Sequence, residues 1–191
     1  MESIVQDSQI SQGSSFRGGA HHFWIQHFLF MKEQKLETRF EVYENMDELN
    51  EEDKQLLKEA QLATEKSYAP YSKFLVGAAA RLSNNTILTG SNQENASFPV
   101  GICAERVLLS AISSLYPNTS IESIAVSYSN KTSQSDHPIS PCGMCRQALL
   151  EFESRLKKPI RLVLGGMKGE IYVVKSVGQL LPLAFMSREL K

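Results

Sequence analysis

A chain of 191 residues, 42% of them hydrophobic, is long enough to bury one sizeable core, and we expect a single folded domain. Its 20 basic and 21 acidic residues give a net charge of −1, which argues against nucleic acid as the main partner. No apolar run approaches the length of a membrane span, and three cysteines without a disulfide framework favour a reduced, cytoplasmic compartment.

The first thirty residues differ in composition from the rest of the chain. Residues 1–19 are rich in Ser, Gln and Gly, and residues 20–30 form an apolar stretch interrupted by histidines. That stretch lacks the basic start and small-residue cleavage site of a signal peptide. We therefore expect residues 1–40 to be an N-terminal extension, disordered or a non-native start, and residues 41–191 to form the domain.

The first regular element of the domain is a helix that Asn50 caps, with acidic residues in its first turn. Leu56, Leu57, Ala60 and Ala63 recur at helical spacing and predict its buried face. The pattern predicts that the helix ends near residues 69–70, where a proline follows.

Alternation, turn residues and helical periodicity predict the remaining elements. In chain order they are a strand over 74–82, a strand over 86–91, a helix over 103–115, a strand over 121–128, a polar loop over 129–140, a helix over 142–156 that Ser140 caps and Pro141 starts, strands over 160–164 and 170–174, and a short helix over 176–181.

This order predicts an α/β fold, a three-layer sandwich in which a mixed five-stranded sheet has helices on both faces. One connection is decisive for the end of the sheet. Only residues 165–170 lie between Leu164 and Ile171, whereas a parallel pair of strands needs a crossover of a dozen or more residues. The last two strands should therefore form an antiparallel hairpin.

The three cysteines are the residues with the most specific spacing. Cys142 and Cys145 form a C-x-x-C motif, and Cys103 lies two residues before Glu105. Both groups fall at predicted helix N-termini, where unpaired N–H groups stabilise thiolates. Three thiolates suit Zn²⁺ and leave its fourth position open for water, beside which Glu105 can act as an acid and base.

Other interpretations of C-x-x-C alone are a zinc ribbon, a redox pair or a structural zinc module. A ribbon needs a second C-x-x-C, which the chain lacks, and none of the three explains a carboxylate two residues from a ligand. Arg106 and Arg146 each follow a cysteine directly. Either guanidinium can offset the negative charge of the thiolates from outside the ligand shell, and we favour Arg106.

Several motifs extend the pattern over residues 63–185, nearly all of the predicted domain. They are Tyr-Ala-Pro-Tyr-Ser-Lys-Phe at 68–74, Val-Gly-Ala-Ala at 76–79, Asn-Gln-Glu-Asn-Ala at 92–96, Gly-Ile-Cys-Ala-Glu-Arg at 101–106, Ser-Pro-Cys-Gly-Met-Cys-Arg-Gln at 140–147 and Leu-Leu-Pro-Leu-Ala-Phe at 180–185. With these motifs the chain resembles the cytidine deaminases, specifically their small homotetrameric zinc-dependent class.

The resemblance implies a role for each matching residue. Cys103, Cys142 and Cys145 would bind Zn²⁺, and Glu105 would shuttle protons. The substrate-binding residues would be Phe74 over the pyrimidine, Asn92 and Glu94 on the ribose 3′-hydroxyl, the backbone of Ala104 on the cytosine carbonyl, and Phe185, which would enter the neighbouring subunit's site.

The implied activity is hydrolytic deamination of cytidine and 2′-deoxycytidine to uridine and 2′-deoxyuridine plus ammonia, in pyrimidine salvage. Such an enzyme is a hydrolase acting on a cyclic amidine C–N bond, with a nucleoside as its small-molecule partner. Deaminases of blasticidin S, and deaminases that act on RNA or DNA, remain alternatives. Two departures are Phe98, where these enzymes often carry tyrosine, and the polar loop of residues 131–137.

Overall fold

A computed structural model describes residues 32–190, so most of the predicted N-terminal extension, including its histidines, lies outside the described residues. Within 32–190, every helix is too short or too polar to cross a membrane. The main elements are β1 (Glu41–Tyr43), α1 (Glu51–Ala63), β2 (Phe74–Leu82), β3 (Ile87–Ser91), α2 (Ala104–Leu115), β4 (Ile121–Asn130), α3 (Gly143–Leu156), β5 (Arg161–Gly165) and β6 (Ile171–Val174).

The sheet is mixed and has six strands in the order β1-β6-β5-β4-β2-β3, so the prediction of five strands was wrong by one. Only β4 and β5 pair in parallel, among the described strands, and the predicted β5–β6 hairpin is antiparallel. The additional strand is β1, which pairs antiparallel with β6. Its three residues are too few to show the alternation by which a strand is recognised in a sequence.

Helices cover both faces of the sheet, as the three-layer prediction required. Successive strand residues point to opposite faces. On β2, Ala79 packs in the cluster of buried residues that contains Leu56 and Leu57 of α1. Its neighbours Ala78 and Ala80 pack on the other face, in the cluster that contains residues of α2 and α3. The two helices that begin at cysteines therefore share one face.

Helix α1 begins where it was predicted and ends earlier. The Asn50 side chain accepts a hydrogen bond from the backbone N–H of Asp53 at 2.8 Å. The α-helix ends at Ala63, and a 3₁₀ turn over Thr64–Lys66 follows. The predicted end near residues 69–70 was therefore wrong, because a proline prevents a helix from continuing past it but does not fix where the helix ends before it, and Ser67 is already extended.

Helices α2 and α3 both begin without a side-chain cap. Cys103 and Cys142 occupy the capping positions, and neither makes a side-chain capping hydrogen bond. The prediction that Ser140 caps α3 and Pro141 starts it was wrong by two residues. A cysteine at the cap leaves the first backbone N–H groups of the helix available to stabilise negative charge beside the sulfur.

A carboxylate on α3 joins the helix to the segments on either side of the β5–β6 hairpin. Glu153 accepts hydrogen bonds from the backbone N–H groups of Ile160 and Val177 at 2.9 and 3.1 Å, and from the Ser176 hydroxyl at 2.7 Å. These bonds fix the end of the domain against the helix that carries two of the cysteines.

Glu153→Ala should lower the free energy of unfolding by about 3 kcal/mol, since it removes the charged acceptor of three hydrogen bonds and leaves the buried N–H of Ile160 unpaired, while Val177 keeps its bond to the Ile160 carbonyl. Urea denaturation with linear extrapolation measures this change. Glu151→Ala, an exposed site on the same helix, is the matched control and should stay within about 0.5 kcal/mol of the parent. Equal effects of the two substitutions would contradict the assignment.

Candidate active site

The three cysteines meet where α2 and α3 begin. Their sulfurs all lie within 4.8 Å of one another. The Sγ atoms of Cys103 and Cys142 are 3.9 Å apart, and those of Cys142 and Cys145 are 3.5 Å apart. Tetrahedral zinc with Zn–S bonds of about 2.3 Å holds its sulfurs about 3.8 Å apart. The donor set therefore fits one zinc ion with little movement.

The environment of the thiols favours a thiolate at Cys103. Its pKa is lowered to about 6, chiefly because the Cys145 thiol donates a hydrogen bond to its sulfur, and the Arg106 charge adds a smaller effect. The same hydrogen bond, together with burial, raises the pKa of Cys145. This arrangement favours the thiolate form of Cys103, and binding of a cation would displace the thiol protons that remain.

Glu105 lies in the first turn of α2 and is 4% exposed. Burial raises the pKa of its carboxyl, whereas hydrogen bonds to its own backbone N–H and to the Cys145 thiol act in the opposite direction. A carboxyl with a raised pKa, held beside a metal site, exchanges protons near neutral pH more readily than an exposed one. The predicted proximity of Glu105 to the cysteines is present in the structure.

The two arginines that follow cysteines have different surroundings. Arg106 is half-buried, and its charge lowers the pKa of Cys103. Arg146 donates to the backbone carbonyls of Pro141 at 2.8 Å and of Leu180 at 3.0 Å. Arg146 therefore ties the start of α3 to the C-terminal segment, which leaves Arg106 as the arginine whose charge acts on a sulfur.

The segment that contains Asn92 and Glu94 lies directly beside the chain leading to Cys103. Gln93 and Ile102 exchange both backbone hydrogen bonds, at 2.9 and 3.0 Å. The Asn92 amide accepts from the N–H of Val76 at 2.8 Å and donates to the carbonyl of Phe74 at 2.9 Å. Asn92 therefore fixes the start of β2, a structural role that the sequence did not reveal.

Glu94 accepts hydrogen bonds from the backbone N–H groups of Tyr71 and Ser72, at 2.9 and 3.3 Å. Hydrogen bonds from the Ser72 side chain and from these two backbone groups lower the pKa of its carboxyl. It faces a cavity of ≈ 450 Å³ that is lined by Tyr71, Ser72, Glu94, Asn95, Phe98 and Gly101.

The sequence did not indicate that Tyr71, Ser72, Asn95 and Gly101 line this cavity. Phe98 is 77% exposed and meets Tyr71 edge-on, with ring centroids 6.1 Å apart. Most of these residues lie in exposed loops, where no periodicity indicates which side chains converge. Except for Phe98, they lie inside the motifs at 68–74, 92–96 and 101–106, which were the signal that could have found them.

The remaining predicted site residues fall at three places. Phe74 begins β2, and its ring stacks on that of Tyr128. Ala104 is the first residue of α2, so its N–H is among those without a partner inside the helix. Phe185 is 60% exposed, and its backbone carbonyl accepts a hydrogen bond from the Gln147 side chain at 3.0 Å.

Comparison with known proteins identifies a family and several relatives. Residues 50–159 match the cytidine and deoxycytidylate deaminase zinc-binding region. The chain is 35% identical to a cytidine deaminase of Halalkalibacterium halodurans over 71% of this chain and 95% of the relative. It is 37% identical to one of Sporosarcina psychrophila, over 71% and 92%. A crystal structure of cytidine deaminase from Burkholderia pseudomallei matches with a TM-score of 0.59 and 38% identity, covering 72% of this chain and all of that one.

Proposed function

The chain belongs to the cytidine and deoxycytidylate deaminase family, and from this membership we propose how its own residues carry out the reaction. The protein is a zinc-dependent cytidine deaminase, a hydrolase that replaces the C4 amine of cytidine with oxygen and releases ammonia. We extend this to 2′-deoxycytidine and to a place in pyrimidine salvage.

The observation that carries the proposal is the convergence of three sulfurs with a buried carboxylate at two helix N-termini. Cys103, Cys142 and Cys145 would hold the zinc ion. When bound, zinc supplies a Lewis acid that lowers the pKa of water to a value near neutrality. Arg106 would moderate the negative charge of the three thiolates from outside the ligand shell.

Glu105 would carry protons between three positions. It takes a proton from the attacking water and gives it to N3 of the ring, which makes C4 more electrophilic. It later takes the proton of the new C4 hydroxyl and transfers it to the departing amine, so that the C4 carbonyl forms as the C4–N bond breaks and ammonia leaves. A buried carboxyl with a raised pKa suits both directions of transfer.

The neighbouring residues would hold the nucleoside. The N–H at Ala104 is proposed to donate to the cytosine carbonyl, and the ring of Phe74 to contact the pyrimidine. Glu94 is proposed to bind the ribose 3′-hydroxyl, for which a carboxylate with two backbone donors still has acceptor capacity. Asn92 would contribute to the same contact, although its main hydrogen bonds are to the backbone of β2.

We expect ammonia release from cytidine and 2′-deoxycytidine and none from adenosine, measured side by side at saturating concentration. Membership of the cytidine deaminase family favours a cytosine base, and the carboxylate acceptor at Glu94 suits a nucleoside with a free 3′-hydroxyl. Blasticidin S belongs in the same panel. Turnover of blasticidin S above that of cytidine would replace the proposed substrate, while the proposed metal and proton transfer would stand.

The C-terminal segment supports a proposal about assembly. Leu183 and Phe185 are 93% and 60% exposed in the chain, whereas large apolar side chains are more often buried. Gln147 and Arg146 on α3 hold this segment by its backbone and not by its side chains. We propose that the protein is a homotetramer in which Phe185 enters the active site of an adjacent subunit.

Phe185→Ala should raise KM for cytidine about 5- to 150-fold, the equivalent of the roughly 1–3 kcal/mol of a stacked base. The sharper measurement is complementation. Inactive Glu105→Gln subunits mixed with Phe185→Ala subunits should regain sites in which both residues are intact. Leu190→Ala, a change at another exposed apolar residue, is the matched control. A mixture that exchanges subunits without gaining activity would restrict Phe185 to its own chain.

We also propose residues 41–191 as the cytidine deaminase-like catalytic domain, residues 1–40 as an extension to it, and the cytoplasm as its location. Two contacts join the last residues of the proposed extension to this domain. The Thr38 hydroxyl donates to the carbonyl of Gln179 at 2.9 Å, and the rings of Phe40 and Tyr172 lie 4.9 Å apart.

A further inference from the structure

Two aromatic rings stack at the start of β2. Val76 on β2 lies opposite Tyr128 on β4, which makes Phe74 and Tyr128 diagonal neighbours on one face of the sheet. Their ring centroids are 5.0 Å apart and their planes differ by 17°. Because Val76 and Val126 pack in the cluster that contains α2 and α3, this is the face on which the cysteines lie. One side of the Phe74 ring is thereby occupied by Tyr128.

The hydroxyl of Tyr128 contacts the polar loop of residues 131–137. Its oxygen lies 3.2 Å from Nδ1 and 3.4 Å from Nε2 of His137, and the two rings meet edge to face at 5.6 Å. Tyr128 is 1% exposed, and burial raises the pKa of its hydroxyl. The hydroxyl therefore stays protonated and can donate to the imidazole, which Asp136 contacts at 3.3 Å.

The loop itself is fixed on the β5–β6 turn. The backbone carbonyl of Ser135 accepts a hydrogen bond from the N–H of Met167 at 2.7 Å. The side-chain hydroxyl of Ser135 accepts one from the N–H of Asn130 at 2.8 Å. Gly169 has a φ of +83°, and a Cβ there would overlap the carbonyl oxygen of Asp136. A glycine is required for this close approach of the two backbones. The loop thus has a defined position from which His137 can hold Tyr128.

We infer that Tyr128 and His137 are positioning residues for the deamination reaction, which set the plane of the Phe74 ring against the pyrimidine. The inference rests on the proposed contact between Phe74 and the substrate. A half-buried ring that is free to change rotamer loses orientational freedom when a base binds, and this loss weakens binding. The Phe74 ring stacks on Tyr128, which the loop holds in place through His137. It has therefore lost most of that freedom before the base binds.

The test compares KM, kcat and inhibition by the product uridine for three variants. Tyr128→Leu removes the stack and should raise KM and the uridine inhibition constant about threefold to tenfold, with kcat within about twofold. Tyr128→Phe and His137→Ala keep the stack but break the contact with the loop, and should each raise both constants about twofold to threefold.

His137 has a 66% exposed side chain, so its substitution tests the inference even if Tyr128→Leu fails to fold. Gln134→Ala, at another exposed position of the loop, is the matched control and should change neither constant. Zinc content should be unchanged in every variant. A fall in kcat at constant KM, or no change in either His137→Ala or Tyr128→Phe, would overturn the inference.

A double-mutant cycle separates this inference from the proposed function. If Tyr128 acts through Phe74, the effect of Tyr128→Leu should vanish in a Phe74→Leu background. Additive effects of the two substitutions would show that Tyr128 does not act through Phe74, with the proposed role of Phe74 intact. If Phe74→Leu alone changes neither KM nor uridine inhibition, the proposed contact of Phe74 with the pyrimidine fails, and the inference fails with it.

Discussion

Glu105→Gln should lower kcat for cytidine by about 10⁴-fold or more while leaving the fold and zinc content unchanged. Glutamine preserves the shape of the side chain in a position that is 4% exposed, but it cannot carry a proton. General acid–base groups typically contribute about 10²–10⁴-fold, and one used in several proton transfers belongs at the upper end of that range. Steady-state kinetics with elemental analysis measures both quantities.

Two outcomes would contradict this role for Glu105. A loss of less than about tenfold would mean that another group transfers the proton, since a positioned base contributes at least about 10²-fold. A large loss accompanied by loss of zinc would instead show that the carboxylate supports the metal. Val107→Ala, a half-buried position in the same helix, serves as a control for small changes in the packing of α2.

Cys142→Ala should reduce bound zinc from about one ion per chain to a small fraction and abolish measurable deamination. Removal of one sulfur leaves two protein ligands, and a site with only two does not retain zinc well. The loss of zinc affinity and activity should be larger than the roughly 10–100-fold loss that is typical when a residue that only supports a metal ligand is substituted. Elemental analysis after dialysis against a weak chelator, followed by an activity assay, provides the measurement.

Met144→Ala is the matched control for the cysteine variant. Met144 lies between Cys142 and Cys145 in the first turn of α3, and it is 64% exposed. Its substitution should leave zinc and activity unchanged. A Cys142→Ala protein with full zinc and full activity would remove Cys142 from the ligand set and leave the C-x-x-C motif without an assigned function.

The chemistry of the site was predictable because its residues lie at helix starts. Apolar periodicity located α2 and α3, and the cysteine motifs stand directly at their first residues. Both helices pack on one face of the sheet, and the structure shows that their cysteine-bearing N-termini lie together there. Local patterns therefore indicated which residues carry the chemistry, whereas the meeting of Cys103 with Cys142 was expected from the chemistry of a shared metal and from the family resemblance.

Contacts between residues far apart in the chain were not predictable in the same way. Asn92 directly follows β3 and bonds to the backbone of the neighbouring strand β2, but an asparagine at a strand end does not reveal whether its amide bonds to backbone or to a ligand. The contact of Tyr128 with His137 likewise depends on how the β5–β6 turn holds the loop. The edge strand β1 was not predicted because a strand of three residues is too short to show the alternation of apolar and polar residues.

The position of β1 has a consequence for synthesis of the protein. Among the described strands, β1 pairs with β6 alone, although about 130 residues of chain separate the two. While the chain emerges from the ribosome, the other five strands can appear in turn, but β1 has no hydrogen-bonding partner until β6 has followed. Of the six strands within residues 32–190, the first to be made is thus the one whose place in the sheet is formed last, where it pairs with the free edge of β6.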